Sequence, residues 1–217
     1  MKRIVFWFDP VSPYAYLAFE RLPEALAGCS YEVEYRPVLF GAMLQRWGTV
    51  GPAEVEVKRA WTFRHVHWLA AQAGLAMQTP AVHPFNPIAL SRLALAAAGP
   101  EDGALPNRRT VERVMRHVWQ GGGADATDPA RLAALAAELA PARDPAGDSV
   151  KAQLRDLTED ALERGVFGVP SYGIGERVLW GLDALPMLRT ELTGEGRLPE
   201  EVWAAEGAPR PGLRRKG

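Results

Sequence analysis

A short apolar run, Ile4-Val5-Phe6-Trp7-Phe8, stops abruptly at Asp9-Pro10, and apolar residues resume at helical spacing from Tyr14 to Leu26. The β-branched and aromatic residues of the run suit a buried strand, and Asp9-Pro10-Val11-Ser12-Pro13 reads as a turn. Leu17, Ala18, Leu22, Ala25 and Leu26 then mark one face of a helix. Tyr31 to Val38 alternates like a second strand, so the chain opens with a βαβ unit.

From about Phe40 to Arg164 the pattern is helical, with segments near 54–74, 86–98, 107–120, 129–139 and 148–164 separated by breaks such as Thr79-Pro80 and Gly121-Gly122-Gly123. Strand character returns at Ser171 to Ile174, pauses at Gly175-Glu176 and continues from Arg177 to Trp180, which predicts a hairpin. A short helix, Asp183 to Leu192, is expected after it. The order βαβ, helical block, ββα predicts an α/β chain with one mixed sheet built from both ends of the sequence. The expected domains are 1–39 with 166–205 around the sheet, an inserted helical domain over 40–165, and a tail over 206–217.

Bulk properties remove several function classes. A formal charge of -1 gives no basic field to attract nucleic acid. The apolar run after Met1-Lys2-Arg3 is too short for a signal peptide or a membrane span, and Ile88 to Ala98 contains Ser91 and Arg92, so no membrane partner is expected. Cys29 stands alone, which excludes an internal disulfide, a CxxC redox pair and a multi-cysteine metal site. A reduced cytoplasm is the simpler compartment for such a chain.

Three local segments could carry chemistry. Ser12 stands where a strand meets a helix N-terminus, a place that stabilises an anion, though a serine there is equally a plain N-cap. Val169-Pro170, between glycine-rich turn signals and a strand, suits a cis peptide and a peptide-like ligand, while X-Pro bonds in general favour trans. Asp183, after Trp180-Gly181-Leu182, either caps the last helix, the better reading on local grounds, or takes the amino group of a ligand. His65, His67, Trp68 and His83 invite a metal reading, but i,i+2 spacing sends two histidines to different faces and no HExxH accompanies them. Ser12 lacks the GxSxG elbow of a serine hydrolase.

Taken together, Phe8-Asp9-Pro10-Val11-Ser12-Pro13-Tyr14-Ala15-Tyr16-Leu17-Ala18, Val166-Phe167-Gly168-Val169-Pro170-Ser171 and Trp180-Gly181-Leu182-Asp183 resemble the 2-hydroxychromene-2-carboxylate isomerase family. That family belongs with the kappa-class glutathione transferases and is related to periplasmic disulfide oxidases. Gly48-Thr49-Val50-Gly51-Pro52, Lys58 and His83-Pro84-Phe85-Asn86-Pro87 extend the resemblance into the helical block. It implies a thioredoxin-like domain with an inserted helical domain, and glutathione as cofactor with its sulfur at Ser12. By the same resemblance, Val169 and Pro170 face the cysteinyl unit, and Trp180, Gly181, Leu182 and Asp183 hold the γ-glutamyl end. Glu54, Phe85 and Asn86 stand near an aromatic substrate. The family often has an amide at the place of Leu182 and asparagine at that of Glu54.

The resemblance also implies the chemistry. Glutathione thiolate adds reversibly to a conjugated aromatic keto acid, and Ser12 donates a hydrogen bond to that thiolate rather than attacking. A kappa-like transferase or peroxidase that consumes glutathione, and a binding protein without turnover, are the alternatives. A homodimer is a further implication. Ser12-Pro13-Tyr14-Ala15 in the place of CxxC argues against a dithiol oxidoreductase.

Overall fold

Strand β1, Lys2–Phe8, is buried on both faces, which is why its apolar residues run without alternation. The computed structural model describes residues 1–203, and the tail expected over 206–217 lies outside the described residues. Ile4, Phe6 and Phe8 face one core, while Val5 and Trp7 face a second. The turn after β1 leads into helix α1, Pro13–Ala25, and strand β2, Tyr31–Pro37, pairs parallel to β1 from Lys2↔Tyr31 to Phe8↔Pro37.

The helical segment contains α2, Phe40–Trp47; α3, Glu56–Gln72; α4, Ile88–Ala96; α5, Arg108–Trp119; α6, Pro129–Leu139; and α7, Asp148–Glu163. Helix α2 has no counterpart in the sequence expectation. Met43 alone is fully buried on it, and its eight residues give barely two turns of pattern. Strands β3, Ser171–Ile174, and β4, Arg177–Trp180, form the expected hairpin, and β3 pairs antiparallel with β1 through Val5↔Gly173 and Trp7↔Ser171. The sheet order β2-β1-β3-β4 is therefore mixed and drawn from both ends of the chain. A 3-10 turn, Leu182–Ala184, precedes α8, Leu185–Thr193, and a short α9, Glu200–Trp203, comes last.

The two cores tie the helical segment to the sheet. On one face, Ile4, Phe6 and Phe8 pack with Leu17 and Phe19 of α1, Val114 and Val118 of α5, and Leu185 and Leu188 of α8. On the other, Trp7 meets Met43 of α2, Ala161 of α7, Val166 and Val169. Gly173 leaves room for the Trp7 indole beside β3, since a Cβ there would come within 2.7 Å of it. Each large side chain so buried contributes about 2–3 kcal/mol. No helix among the described residues is long and apolar enough to cross a membrane.

Candidate active site

The β1–α1 turn is fixed from four directions. Ser12 caps α1 with its Oγ, which accepts the Ala15 N–H at 3.2 Å. Asp9, fully buried, accepts the Val11 N–H on Oδ1 at 3.0 Å and the Phe40 N–H on Oδ2 at 2.9 Å, joining the turn to α2. Trp119 Nε1 of α5 donates to the Pro10 carbonyl at 3.0 Å. His83 Nε2 lies 2.8 Å from the Val11 carbonyl, so the donating tautomer carries its proton on Nε2. Burial pushes the Asp9 carboxyl up to about 7, with the two backbone N–H groups pulling the other way. Burial also lowers the His83 pKa, keeping a neutral ring as the donor.

The Ser12 hydroxyl donates to the Val169 carbonyl at 3.3 Å, bringing together two signatures that lie far apart in sequence. The Val169–Pro170 peptide is cis, against the general preference for trans, and His83–Pro84 is cis as well. Beside this contact opens a cavity of about 1280 Å³. Ser12, Val169, Pro170, Trp180, Gly181, Leu182, Asp183, Glu54 and Phe85 all line it. Gly181 has φ +102, and a Cβ on it would meet Asp183 Oδ1 at 2.4 Å, so the loop that presents Asp183 requires glycine there.

Two placements, those of Asn86 and Asp183, differ from what the sequence suggests. Asn86 does not line the cavity: it is exposed, and its Oδ1 accepts the Ile88 N–H at 3.0 Å at the start of α4. Asp183 does not cap α8, whose N-terminal side has no side-chain cap, and it lines the cavity. Leu182 is buried among Leu185 and Leu188. Glu54 Oε1 accepts the Gly51 N–H at 2.6 Å and closes the 3-10 turn Pro52–Glu54, which gives that carboxylate a structural task at the cavity edge. The histidines are separated, with His67 bonded to Thr79, His65 to Tyr14 and His83 to the Val11 carbonyl.

Several lining residues carried no signal of their own in the sequence. Asp9 and Tyr14 enter only within the first signature, His65 only within the histidine cluster, and nothing in the sequence singles out Arg21 or Phe40. Arg21 is half-buried and makes no ion pair among the described residues. The cavity thus offers a hydroxyl at a helix N-terminus in its middle, a carboxylate and a guanidinium in Asp183 and Arg21, and apolar walls in Phe40, Leu44 and Phe85. No basic side chain hydrogen bonds to Ser12 Oγ among the described residues, so the hydroxyl is equipped to donate rather than to attack.

A sheet and turn of this kind define a thioredoxin-type domain, and the chain belongs to the DSBA-like thioredoxin domain family, whose model matches residues 3–193. Within that breadth its similarity is to proteins named 2-hydroxychromene-2-carboxylate isomerase, as the sequence resemblance implies. It is 28% identical over 201 residues to one from Sphingobium xenophagum, covering 88% of this chain and 98% of the relative. Another, from Pseudomonas sp. (strain C18), is 29% identical over 198 residues, covering 87% and 89%. A solved 2-hydroxychromene-2-carboxylate isomerase superposes with a TM-score of 0.74 at 24% identity over 88% of this chain and 95% of that one.

Proposed function

We propose that the protein is a glutathione-dependent isomerase acting on an aromatic substrate like 2-hydroxychromene-2-carboxylate. The observation that carries this reading is Ser12 Oγ at the N-terminus of α1, 3.3 Å from the Val169 carbonyl and open to a cavity of about 1280 Å³. The names of the similar proteins support the same substrate class.

The donor set fits a zwitterionic thiol peptide. Asp183 suits an ammonium, Arg21 suits a carboxylate, and Val169 and Pro170 line the cavity next to Ser12. Bound glutathione supplies a sulfur nucleophile that adds reversibly to a conjugated double bond, so that rotation can occur without net consumption. Ser12 holds negative charge on that sulfur by turning its O–H from the Val169 carbonyl toward it, assisted by the helix N-terminus. Asp9, Trp119 and His83 keep the turn, and with it the hydroxyl, in place. Phe85, Phe40 and Leu44 offer an apolar wall to the aromatic ring. A reducing compartment suits both the cofactor and the lone Cys29.

Calorimetry with glutathione near neutral pH, with thiolate absorbance followed in the ultraviolet, tests the cofactor on the wild type and on Ser12→Ala. Loss of a charge-assisted hydrogen bond is expected to weaken binding about 10- to 100-fold and to remove the thiolate signal. Wild-type protein that binds no glutathione overturns the cofactor. Conversion of 2-hydroxychromene-2-carboxylate with glutathione recovered intact supports the isomerase, and a glutathione conjugate as product overturns it in favour of a transferase.

A further inference from the structure

His65 lies midway along α3, with Trp61 one turn before it and Trp68 one turn after it. The indole rings stack on the imidazole with centroids at 5.9 and 6.3 Å and interplanar angles of 10° and 13°. Both indoles are exposed, yet they hold the imidazole plane between them. His65 Nδ1 is 3.0 Å from the hydroxyl of Tyr14, which lies in the first turn of α1 two residues beyond Ser12. Both rings line the cavity. Neither side chain has another hydrogen-bond partner among the described residues, so the Tyr14 oxygen and His65 Nε2 keep capacity for a substrate.

The isomerase reading requires more than a sulfur nucleophile. A 2-hydroxychromene is a cyclic hemiketal, and its ring opens only as one oxygen loses a proton and another gains one. We infer that Tyr14 and His65 are the acid–base pair that moves this proton, an inference that rests on the isomerase reading. The C2 hydroxyl of the substrate gives its proton to Tyr14 Oη while the Tyr14 proton passes to His65 Nδ1. The freed electron pair forms the C2=O bond, the C2–O1 bond breaks, and its pair stays on the ring oxygen. That oxygen takes a proton from Tyr14 as Nδ1 returns its own, leaving a neutral phenol and the pair in its starting state.

Burial raises the pKa of the Tyr14 hydroxyl, which suits a group that passes protons and does not hold a negative charge. The other ionisable groups lining the cavity are Asp9, Arg21, Glu54, His83, Asp183 and Arg189. His83 is the one other imidazole among them, and it is engaged with the Val11 carbonyl instead of a hydroxyl.

The test measures kcat, KM and glutathione affinity across pH for the wild type, Tyr14→Phe, His65→Gln and the double variant. Each single change is expected to lower kcat about 100-fold, the usual scale for a general acid or base. KM and glutathione affinity should stay within about twofold, and the double variant should be no slower than the worse single one because the two act as a unit. Added imidazole should restore turnover to His65→Ala, which a structural role would not give. A wild type that converts the chromene beside a His65→Gln variant with unchanged kcat overturns the acid–base pair alone. A wild type that binds glutathione and leaves the chromene unconverted overturns the isomerase reading and the pair with it.

Discussion

Replacing Asp9 by Asn should make the protein less stable in acid and more stable in base. Asp9 is wholly buried, and its folded carboxyl is pushed from 3.8 up to about 7. An acid raised in this way favours the fold while protonated: its contribution is fully present below pH 3.8 and is lost as pH rises through about 7. At about 1.4 kcal/mol per pH unit, that rise makes ionised Asp9 about 4 kcal/mol less favourable to the fold than protonated Asp9. Asparagine never ionises, but its amide nitrogen cannot accept from the Val11 or Phe40 N–H, and one unmatched buried donor costs about 1–3 kcal/mol at every pH. Asp9→Asn should therefore be about 1–3 kcal/mol less stable near pH 4 and more stable by a similar amount near pH 8. Urea unfolding of both proteins at intervals across that range reads the difference, in which titrations shared by the two proteins, such as that of His83, cancel. A difference that stays constant with pH refutes the reasoning, because Asp9 would then titrate alike in the folded and unfolded chains.

Two further changes probe the same region. Trp119→Phe leaves the buried Pro10 carbonyl without its donor, so the urea midpoint should fall by the equivalent of about 1–3 kcal/mol, with weaker glutathione binding as the turn loosens. Gly181→Ala places a Cβ 2.4 Å from Asp183 Oδ1 at a φ of +102. Strain of about 1–3 kcal/mol and a displaced Asp183 should appear in calorimetry as lower glutathione affinity, and unchanged affinity would argue against an Asp183 contact.

Much of the sheet was legible because its signals are local. The apolar run of β1, the Ser12-Pro13 helix start and the turn at Gly175-Glu176 each announce themselves within a few residues, and the elements fall within a residue or two of expectation. Helix α2 was not legible because its eight residues give little more than two turns over which an apolar period can repeat. The Val169–Pro170 geometry was not either, because what selects the isomer is the tertiary setting and the local preference points to trans.

The site divides in the same way. Ser12, Val169 and the Trp180 to Asp183 loop were found through their motifs, and the cavity gathers them. Asn86 sits in one of the weaker motifs, yet its side chain turns to the Ile88 N–H, a choice that depends on one backbone amide two residues away. Asp183 reads locally as a helix cap and through its motif as a ligand contact, and the intervening 3-10 turn carries it off the helix end. Asp9, Tyr14 and His65 matter through partners that no window of sequence contains: Phe40 for the first, and each other across the α1–α3 contact for the last two.

The middle of the sheet joins the two ends of the chain, and this governs when the site can come into being. Strand β1 is made well before one of its neighbours in the sheet, β3, which emerges more than a hundred residues later. Until that hairpin has left the ribosome, one edge of β1 has exposed amides, Trp7 has only part of its cover, and Ser12 has no Val169 to face. The entropy of closing so long a loop must be met before the β1–β3 pairing can reward it. A nascent chain halted before residue 169 would carry a complete Ser12 turn and still lack the site.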